Sequence, residues 1–272
     1  MGLLHLLSYA FLQNALAAAC SVALCAAVIG YFLVARGMTF AGHALPNIGF
    51  AGAAGAVLLG IPPVFGLFCF TIIAALVFSF LGEQVRDKDL GIGVIMTFSL
   101  GLGLLFLTLY SWYAERIYGI LFGTILGVSP AEVRVTLASS LLTLLCISII
   151  FRPLLFSTAS SESALSKGVP VKFLAAVFLV LTAVTVSLAV QVTGSLLVFT
   201  LLVGPAATAR TVFRRPVAVI GLAVLLGEFY VIAGILLAAV TRTLPVSFFV
   251  ATLSFTAFLL ARLLQKGKTW AR

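Results

Sequence analysis

The sequence predicts an all-α protein that crosses a lipid bilayer many times. Of its 272 residues, 63% are hydrophobic and 8% are charged, and the mean hydropathy is +1.29. A soluble domain carries about 25% charged residues, so the apolar surface of this chain must face lipid. The runs are apolar on every face and do not alternate with polar residues, which favours spanning helices over the strands of a membrane barrel.

Nine apolar runs approach the roughly 20 residues that a helix needs to span a bilayer. We predict spans at 12–34, 41–60, 63–81, 91–111, 131–151, 171–190, 193–209, 216–240 and 246–263. The second and seventh runs are short or interrupted by Gly and Pro, so a re-entrant segment is an alternative for one of them and would leave eight spans. We expect no cleavable signal peptide and a single transmembrane domain over residues 1–272.

The basic residues predict how the bundle is oriented. With the C-terminus in the cytoplasm and nine spans, thirteen of the sixteen Lys and Arg residues fall on the cytoplasmic side, leaving Arg116, Arg134 and Arg242 outside. This bias is what the positive-inside rule expects, and it places the N-terminus outside. The net charge of +9 is therefore explained by topology and anionic lipid headgroups, and we expect no nucleic-acid partner.

The four cysteines lie inside apolar runs, and none belongs to a CxxC motif. They are Cys20, Cys25, Cys69 and Cys146. Small residues of this kind are common packing elements of buried helices. We predict no disulfide bonds.

Polar side chains inside the predicted spans are few, and Glu228 is the clearest. An ionisable group at the centre of a spanning helix costs roughly 2.5–3.5 kcal/mol on insertion scales, so Glu228 should face a cavity or a partner. The sequence leaves two interpretations of Glu228: a functional group, or a structural hydrogen bond to a neighbouring helix. His43 and Asn47 lie one helical turn apart on one face, where hydrogen bonding between helices, worth about 0.6 kcal/mol, is the alternative to a ligand role.

The longest predicted cytoplasmic connection contains the signals of a short capped helix. Ser160 or Ser161 is a suitable N-cap, Glu162 falls in the first turn, Lys167 near the end, and Gly168 stops the helix. A rigid helix between two long spans is typical of a surface that docks on a partner, whereas a plain linker is the alternative reading.

The sequence shows no catalytic or nucleotide-binding arrangement of its own. No Ser/His/Asp set or pair of carboxylates stands out. The GKT of residues 267–269 lacks the earlier glycine and the preceding strand that a phosphate-binding loop requires. We therefore predict that the chain is not an enzyme, holds no permanent cofactor, and relies on another subunit if ATP drives its work.

Six segments, in order along the chain, carry a resemblance to a known family. They are VARGMTFAGHALPNIGFAGAAGA (34–56), DLGIGVIMTFSLGLGLLFL (89–107), LFGTILGVSP (121–130), RPLLFSTASSESALSKGVPV (152–171), QVTGSLLVFTLLVGPAATAR (191–210) and LPVSFF (244–249). Together they make the chain resemble the permease subunits of zinc/manganese-type ATP-binding-cassette importers.

The resemblance implies partners and roles. It implies a homodimeric permease in a prokaryotic cell membrane, two cytoplasmic ATPase subunits that bind ATP, and a separate extracytoplasmic metal-binding protein. The segment at about 156–168 would be the coupling helix that docks on the ATPase. The residues that would carry this coupling are Ser160, Glu162, Ala164, Lys167 and Gly168. His43 and Asn47 would contact the metal in transit, along a path that also includes Gly42, Pro46 and Glu228.

The chain departs from the family pattern at the residues expected to meet the metal. His43 stands where the family has aspartate, Pro46 replaces serine, and Asn47 replaces histidine; Thr243 and Ser160 each occupy a usually acidic position. A carboxylate and imidazole pair has thus become imidazole and amide. Because imidazole suits zinc while manganese prefers carboxylate oxygen, we expect zinc to be favoured over manganese.

Gly42 and Pro46 are expected to break the second span near its start and to free backbone carbonyls beside the path, which is tolerated only next to protein or water.

Two other functions stay open. One is a permease of the same fold for another solute, such as a metal chelate. The other is a secondary transporter that uses Glu228 as a proton site.

Overall fold

The computed structural model describes residues 9–81, 85–109, 127–241 and 244–270, and in these ranges it is helical without strands. The helices are α1 (Ala10–Ala35), α2 (Thr39–Leu58), α3 (Pro63–Phe80), α4 (Val85–Leu109), α5 (Pro130–Ala159), α6 (Ser161–Ser166), α7 (Val171–Thr193), α8 (Ser195–Val212), α9 (Pro216–Thr241) and α10 (Val246–Trp270). Thr243 and most of the 121–130 motif lie outside the described residues.

Each of the nine predicted spans corresponds to a helix, so the all-α membrane bundle is confirmed. Seven of the described helices are long and apolar enough to cross a bilayer, and α8 holds a shorter apolar stretch, Leu197–Val212. The largest difference is at the end of α5, which we predicted near residue 151 and which continues to Ala159 with Pro153 inside it. A proline removes only one backbone bond of a helix, and the packed neighbours of α5 hold the last turns in place.

The predicted break in the second span is wrong, because α2 is one continuous helix that contains Pro46. Pro46 has no N–H to donate to the carbonyl of Gly42, so one bond is missing, but the helix passes through. The helix α8 is likewise continuous through Pro205.

Helix α1 lies at the centre of the bundle, and its most apolar window is 67% buried. It packs against α5, α7, α8 and α9, while α2 packs mainly against α3 and α4 and touches α8. The core is rich in alanine along α1 and α2. Small side chains let helix backbones approach closely in a membrane, where packing rather than water drives association.

Two close approaches depend on glycine. A Cβ at Gly30 of α1 would collide with the carbonyl oxygen of Leu202 in α8, and Cβ atoms at Gly52 and Gly66 would each collide with the backbone of the other, where α2 crosses α3. These glycines allow helix axes to come nearer than any larger residue permits. The contact between α8 and α1 also brings α8 beside the start of α2.

Large apolar side chains cover the outer surface, as expected for a chain in lipid. The exposed ones include Val94, Phe98, Ile149, Leu225 and Phe255. The four cysteines are free; Cys25 is buried, Cys20 and Cys146 are half-buried, and Cys69 is exposed.

Candidate functional site

The polar face of α2 begins with His43. Its imidazole is exposed in the single chain and lies between two aromatic rings. The Phe199 ring of α8 meets it edge-on with centroids 5.1 Å apart, and the Phe40 ring lies at 6.4 Å. These two ring contacts hold the imidazole on one side, while the side chain stays exposed at the surface of the single chain.

Asn47 lies on the same face, one turn further along α2. Its Nδ2 donates to the backbone carbonyl of His43 at 2.9 Å and lies 3.8 Å from the sulfur of Met96 on α4. The side chain is thereby tied to its own helix on one side and to a neighbouring helix on the other. We call Phe40, His43, Asn47, Met96 and Phe199 the His43 face.

Gly42 and Pro46 are buried. A Cβ at Gly42 would come within 3.1 Å of the Leu33 side chain of α1, so this glycine permits packing against α1. Because Pro46 has no N–H, the Gly42 carbonyl lacks its usual helical donor. This carbonyl is the one polar group that the two residues add. These two residues therefore shape α2, whereas His43 and Asn47 present its polar side chains.

The His43 face lies near one end of α2. With a rise of 1.5 Å per residue, His43 is only about 6 Å along the axis from Thr39, the first residue of the helix. The turn formed by Gly37 and Met38 connects this end directly to α1, and Gly37 adopts a positive φ of 67°. A shift of α1 at this turn would therefore be passed directly to His43.

Glu228 lies half-buried on α9, the helix that packs against α1. The Cys20 thiol of α1 lies beside it. The carboxyl group thus faces a neighbouring helix and is not fully surrounded by lipid. It lies on a different face of the bundle from the α2–α4 contact, so the structure does not bring Glu228 together with His43 through any described contact.

The short helix α6 has the caps that its sequence indicates. Of the two serines considered, Ser160 is the N-cap, and its oxygen accepts from the Ser163 N–H at 3.3 Å. Glu162 occupies the first turn, where a negative charge is favourable. Gly168 ends the segment with a positive φ of 77°, which lets its N–H bond the Leu165 carbonyl at 2.9 Å.

Two faces of α6 differ in exposure. Ala164 is completely buried against the rest of the chain, whereas the Leu165 side chain is 48% exposed. Lys167, the C-cap, places its Nζ over the Phe156 ring at 5.5 Å, which ties α6 back to the end of α5. The helix is thus anchored by one side and presents an apolar side chain on the other.

Arg36, just after α1, joins that helix to the base of α6. Its Nε donates to Thr158 Oγ1 at 2.9 Å and its Nη2 donates to Ser157 Oγ at 2.6 Å. The guanidinium also lies over the Phe178 ring of α7 at 5.4 Å. Burial lowers the pKa of Arg36 to about 10, which leaves it charged at neutral pH. We call Arg36, Ser157, Thr158 and Phe178 the Arg36 junction.

A second arginine ties α8 to the same end of α1. The Nη1 of Arg210 donates to the Val34 carbonyl at 2.8 Å, near the end of α1 where backbone carbonyls have no helical donor. From Val34 and Arg36 the chain continues through the turn at Gly37 and Met38 into α2, which carries the His43 face. The ends of α5 and α8 are thus both hydrogen-bonded to the end of α1 that leads into α2.

The described residues contain no group of three or more His, Cys, Asp or Glu side chains that would hold a metal ion. The His43 face offers one imidazole, one amide and one thioether, and none of its side chains is a carboxylate. Such a set suits brief contact with a passing soft or borderline ion and does not suit permanent retention. A transport path must bind the ion weakly enough to release it.

The sequence did not reveal the Arg36 junction or the role of Met96. Arg36 reaches hydroxyls 121 and 122 positions away, and Met96 meets Asn47 from 49 positions away. The available signal was weak: Ser157 and Thr158 are two hydroxyl residues at the start of the predicted coupling segment, and Arg36 is the first Lys or Arg in the chain and follows a long span.

The chain is similar to several known transport proteins. The model of the ABC 3 transport family matches residues 8–265. The manganese transport system membrane protein MntC of Halalkalibacterium halodurans is 34% identical over 85% of this chain and 80% of its own. The high-affinity zinc uptake system membrane protein ZnuB of Haemophilus influenzae is 27% identical over 80% of this chain and 84% of its own.

Two solved structures have the same fold. PsaBC from Streptococcus pneumoniae, in complex with Fab, matches with a TM-score of 0.83 and 28% identity, covering 94% of this chain and 92% of that chain. A putative metal-chelate type ABC transporter in an inward-facing conformation matches with a TM-score of 0.71 and 20% identity, covering 92% and 85%. The second likeness concerns the fold alone.

The helical bundle with its anchored α6 and the agreement with these proteins define a membrane-embedded permease, a transporter subunit and not an enzyme. The chain belongs to the ABC 3 transport family. Membership places it among ATP-binding-cassette transporters, so the proton-coupled secondary transporter considered from Glu228 is not retained. The predicted family is confirmed.

Proposed function

We propose that this chain is the permease of an ATP-driven importer for divalent transition-metal ions, with zinc favoured over manganese. The observation that carries the proposal is the His43 face, where an accessible imidazole, an amide and a thioether meet on α2 and α4. Imidazole suits zinc and thioether suits soft ions, whereas manganese prefers carboxylate oxygen. The relatives MntC and ScaB are named for manganese and ZnuB for zinc, which supports a metal cargo and makes manganese the competing candidate.

The proposal includes an assembly. We infer a homodimer of this chain in the cell membrane, with its C-terminus in the cytoplasm, two ATPase subunits that bind ATP, and an extracytoplasmic protein that captures the ion. The positive-inside bias supports the orientation. It places the end of the bundle that carries α6 and the Arg36 junction at the cytoplasm, where α6 would dock on the ATPase.

Ion movement and ATP hydrolysis would be linked through α1. A movement of α6 after ATP binding would shift the end of α5, and the Arg36 hydrogen bonds to Ser157 and Thr158 would carry the shift to the α1–α2 turn. Because His43 lies about 6 Å from the start of α2, the turn controls how the imidazole meets the path. The ion would then pass to the cytoplasm with little net binding.

The test compares uptake of radioactive zinc and manganese by cells that express the complete transporter, normalised to permease in the membrane. We expect His43→Ala to lower uptake and the metal-stimulated part of ATP hydrolysis while basal hydrolysis survives. The double variant His43→Asp with Asn47→His should retain transport and shift preference toward manganese. Thr97→Val serves as the control, because Thr97 is exposed on α4 and bonds only its own helix.

Equal loss for every ion that follows a lower thermal stability would leave His43 a packing residue. Uptake of a metal chelate, with no uptake of the free ion, would instead favour the same-fold permease for a chelate. A wild-type preference for manganese over zinc would overturn the metal choice and leave the rest of the proposal in place.

A further inference from the structure

A cleft of about 540 Å³ opens at the α6 end of the bundle, and no residue of the His43 face lines it. It lies between the ends of α1, α5 and α8 and the start of α9. Its lining is Tyr31, Ala35, Arg152, Leu155, Phe156, Thr158, Ala159, Arg210 and Pro216. No function has been assigned above to the cleft itself, although Thr158, Arg210 and Phe156 of its lining make the contacts already described.

The cleft lies at the level where the helices leave the hydrocarbon core. Helix α5 has 30 residues and is about 45 Å long, whereas the core of a bilayer is about 30 Å thick. Arg152 lies about 33 Å along α5 from Pro130, and α1 ends at Ala35 while α9 begins at Pro216. The lining is thus at headgroup depth, with the last turns of α5 extending beyond it.

The chemistry of the lining favours an anion with apolar chains attached. Arg152 and Arg210 are both exposed, and Arg210 uses one of its N–H groups on the Val34 carbonyl and keeps the others. The described lining contains no carboxylate to neutralise them. Leu155, Phe156 and Pro216 give the cleft apolar walls.

The other features of the cleft agree with this chemistry. The N-terminus of α9, a helix of 26 residues, borders the cleft and adds partial positive charge. Tyr31 is 8% exposed, and tyrosine is enriched at the level where membrane meets water.

We propose that this cleft binds the phosphate headgroup of an anionic phospholipid from the leaflet at the α6 end, between the guanidinium groups of Arg152 and Arg210. Arginine bonds phosphate oxygens in a fork geometry, and basic clefts between spanning helices on the cytoplasmic side are suited to anionic headgroups. In the topology proposed above this leaflet is the inner one, but the binding itself depends neither on that topology nor on the metal.

An acidic segment of the ATPase is the competing occupant. The headgroup depth and the apolar walls favour the lipid, because a docked soluble subunit would meet α6 and the protruding turns of α5 before reaching Arg152. A bound lipid would connect α5 with α8 beside the Arg36 junction, and it would hold the ends of three helices in one arrangement.

The experiment measures binding of dioctanoyl phosphatidylglycerol to the full chain in neutral detergent, by native mass spectrometry and by the shift in thermal unfolding. Dioctanoyl phosphatidylcholine and inorganic phosphate are the comparison probes. We expect phosphatidylglycerol to bind tightly, and Arg152→Gln and Arg210→Gln to weaken its binding by about tenfold. Arg262→Gln is the matched control, because Arg262 is an exposed arginine that lies over its own neighbour Phe258 outside the cleft.

Arg152→Gln is the deciding variant, since Arg210→Gln also removes the bond to Val34 and can weaken the fold. Equal phosphatidylglycerol binding by wild type and Arg152→Gln would overturn the proposal. So would equal binding of phosphatidylcholine. Inorganic phosphate binding as tightly as the lipid would make the cleft a site for soluble anions, and displacement of the lipid when the ATPase binds would assign the cleft to that subunit.

Discussion

His43 and Arg36 lie only seven residues apart in the sequence. The His43 face and the Arg36 junction nevertheless hold their polar side chains in opposite ways. At the His43 face the imidazole is exposed and the polar side chains include weak contacts, such as the 3.8 Å approach of Asn47 to Met96. At the Arg36 junction a half-buried charge makes two short hydrogen bonds and a ring contact. The first arrangement suits a group that must bind and release, and the second suits a connection that must keep its geometry.

The comparison predicts that damage at the α6 end costs more than damage at the His43 face. When one donor of the His43 face is changed, we expect the face to lose only part of its preference among metal ions. A mechanical connection fails when its geometry is lost, because interactions that act together are not additive.

The largest effect is expected for Ala164→Arg. Ala164 is fully buried where α6 packs on the rest of the chain, so an arginine there displaces α6, with overpacking that typically costs about 1–3 kcal/mol. ATP-driven uptake should fall to background while the permease still inserts in the membrane, and deletion of 160–166 should do the same. Uptake and co-purification with the ATPase are the measurements.

Leu264→Arg, at an exposed position of α10, controls for the added charge. Normal uptake and normal ATPase binding by Ala164→Arg would show that α6 is not the coupling element.

The second effect concerns Arg36. Arg36→Lys keeps the charge but cannot reach both hydroxyls while lying over Phe178, so we expect it to behave like Arg36→Ala. Each should lower the number of ions imported per ATP hydrolysed by on the order of tenfold. Ser157 and Thr158 retain their bonds to the Leu154 carbonyl, so neither hydroxyl is left unpaired and the fold should persist.

Uptake and hydrolysis are measured together for the Arg36 variants, with Arg214→Ala as the control because Arg214 is exposed between α8 and α9. An unchanged ratio in both Arg36 variants would reduce the junction to a packing feature.

The two regions also differ in how far the sequence predicts them. The caps of α6 depend on residues within one turn of each other, so Ser160 and Gly168 were identifiable from sequence alone. His43 and Asn47 were found because they share one turn of α2. Arg36 and Met96 depend on how distant helices pack, which a single sequence does not encode in any local pattern. For the same reason Pro46 was misjudged: the neighbours that keep α2 continuous are far away in sequence.

Glu228→Gln should have the third largest effect. The change keeps the size and polarity of the side chain beside Cys20 but removes an ionisable group from α9. We expect metal uptake to fall severalfold while the free energy of unfolding changes by less than about 1 kcal/mol. Uptake in cells and thermal unfolding in detergent are the two measurements. Reduced stability with unchanged uptake would assign Glu228 to the contact between α9 and α1.

The smallest effect is expected for Met96→Leu, and it bears most directly on the proposed path. Leucine conserves the volume and apolar character of methionine, so the packing of α4 on α2 should persist, whereas the thioether beside Asn47 is lost. If an ion passes the His43 face, removing its softest donor should lower zinc uptake by about twofold to threefold relative to manganese uptake.

Competition between the two ions in the same cells measures this ratio without knowing the amount of permease. The neighbouring change Thr97→Val should leave the ratio as it is. An unchanged ratio in Met96→Leu would remove Met96 from the path, and the same result with His43→Ala would remove the whole face. The weak contacts at this end of α2 would then serve packing, as the strong contacts at the Arg36 junction do, and the contrast between the two regions would no longer reflect the passage of an ion.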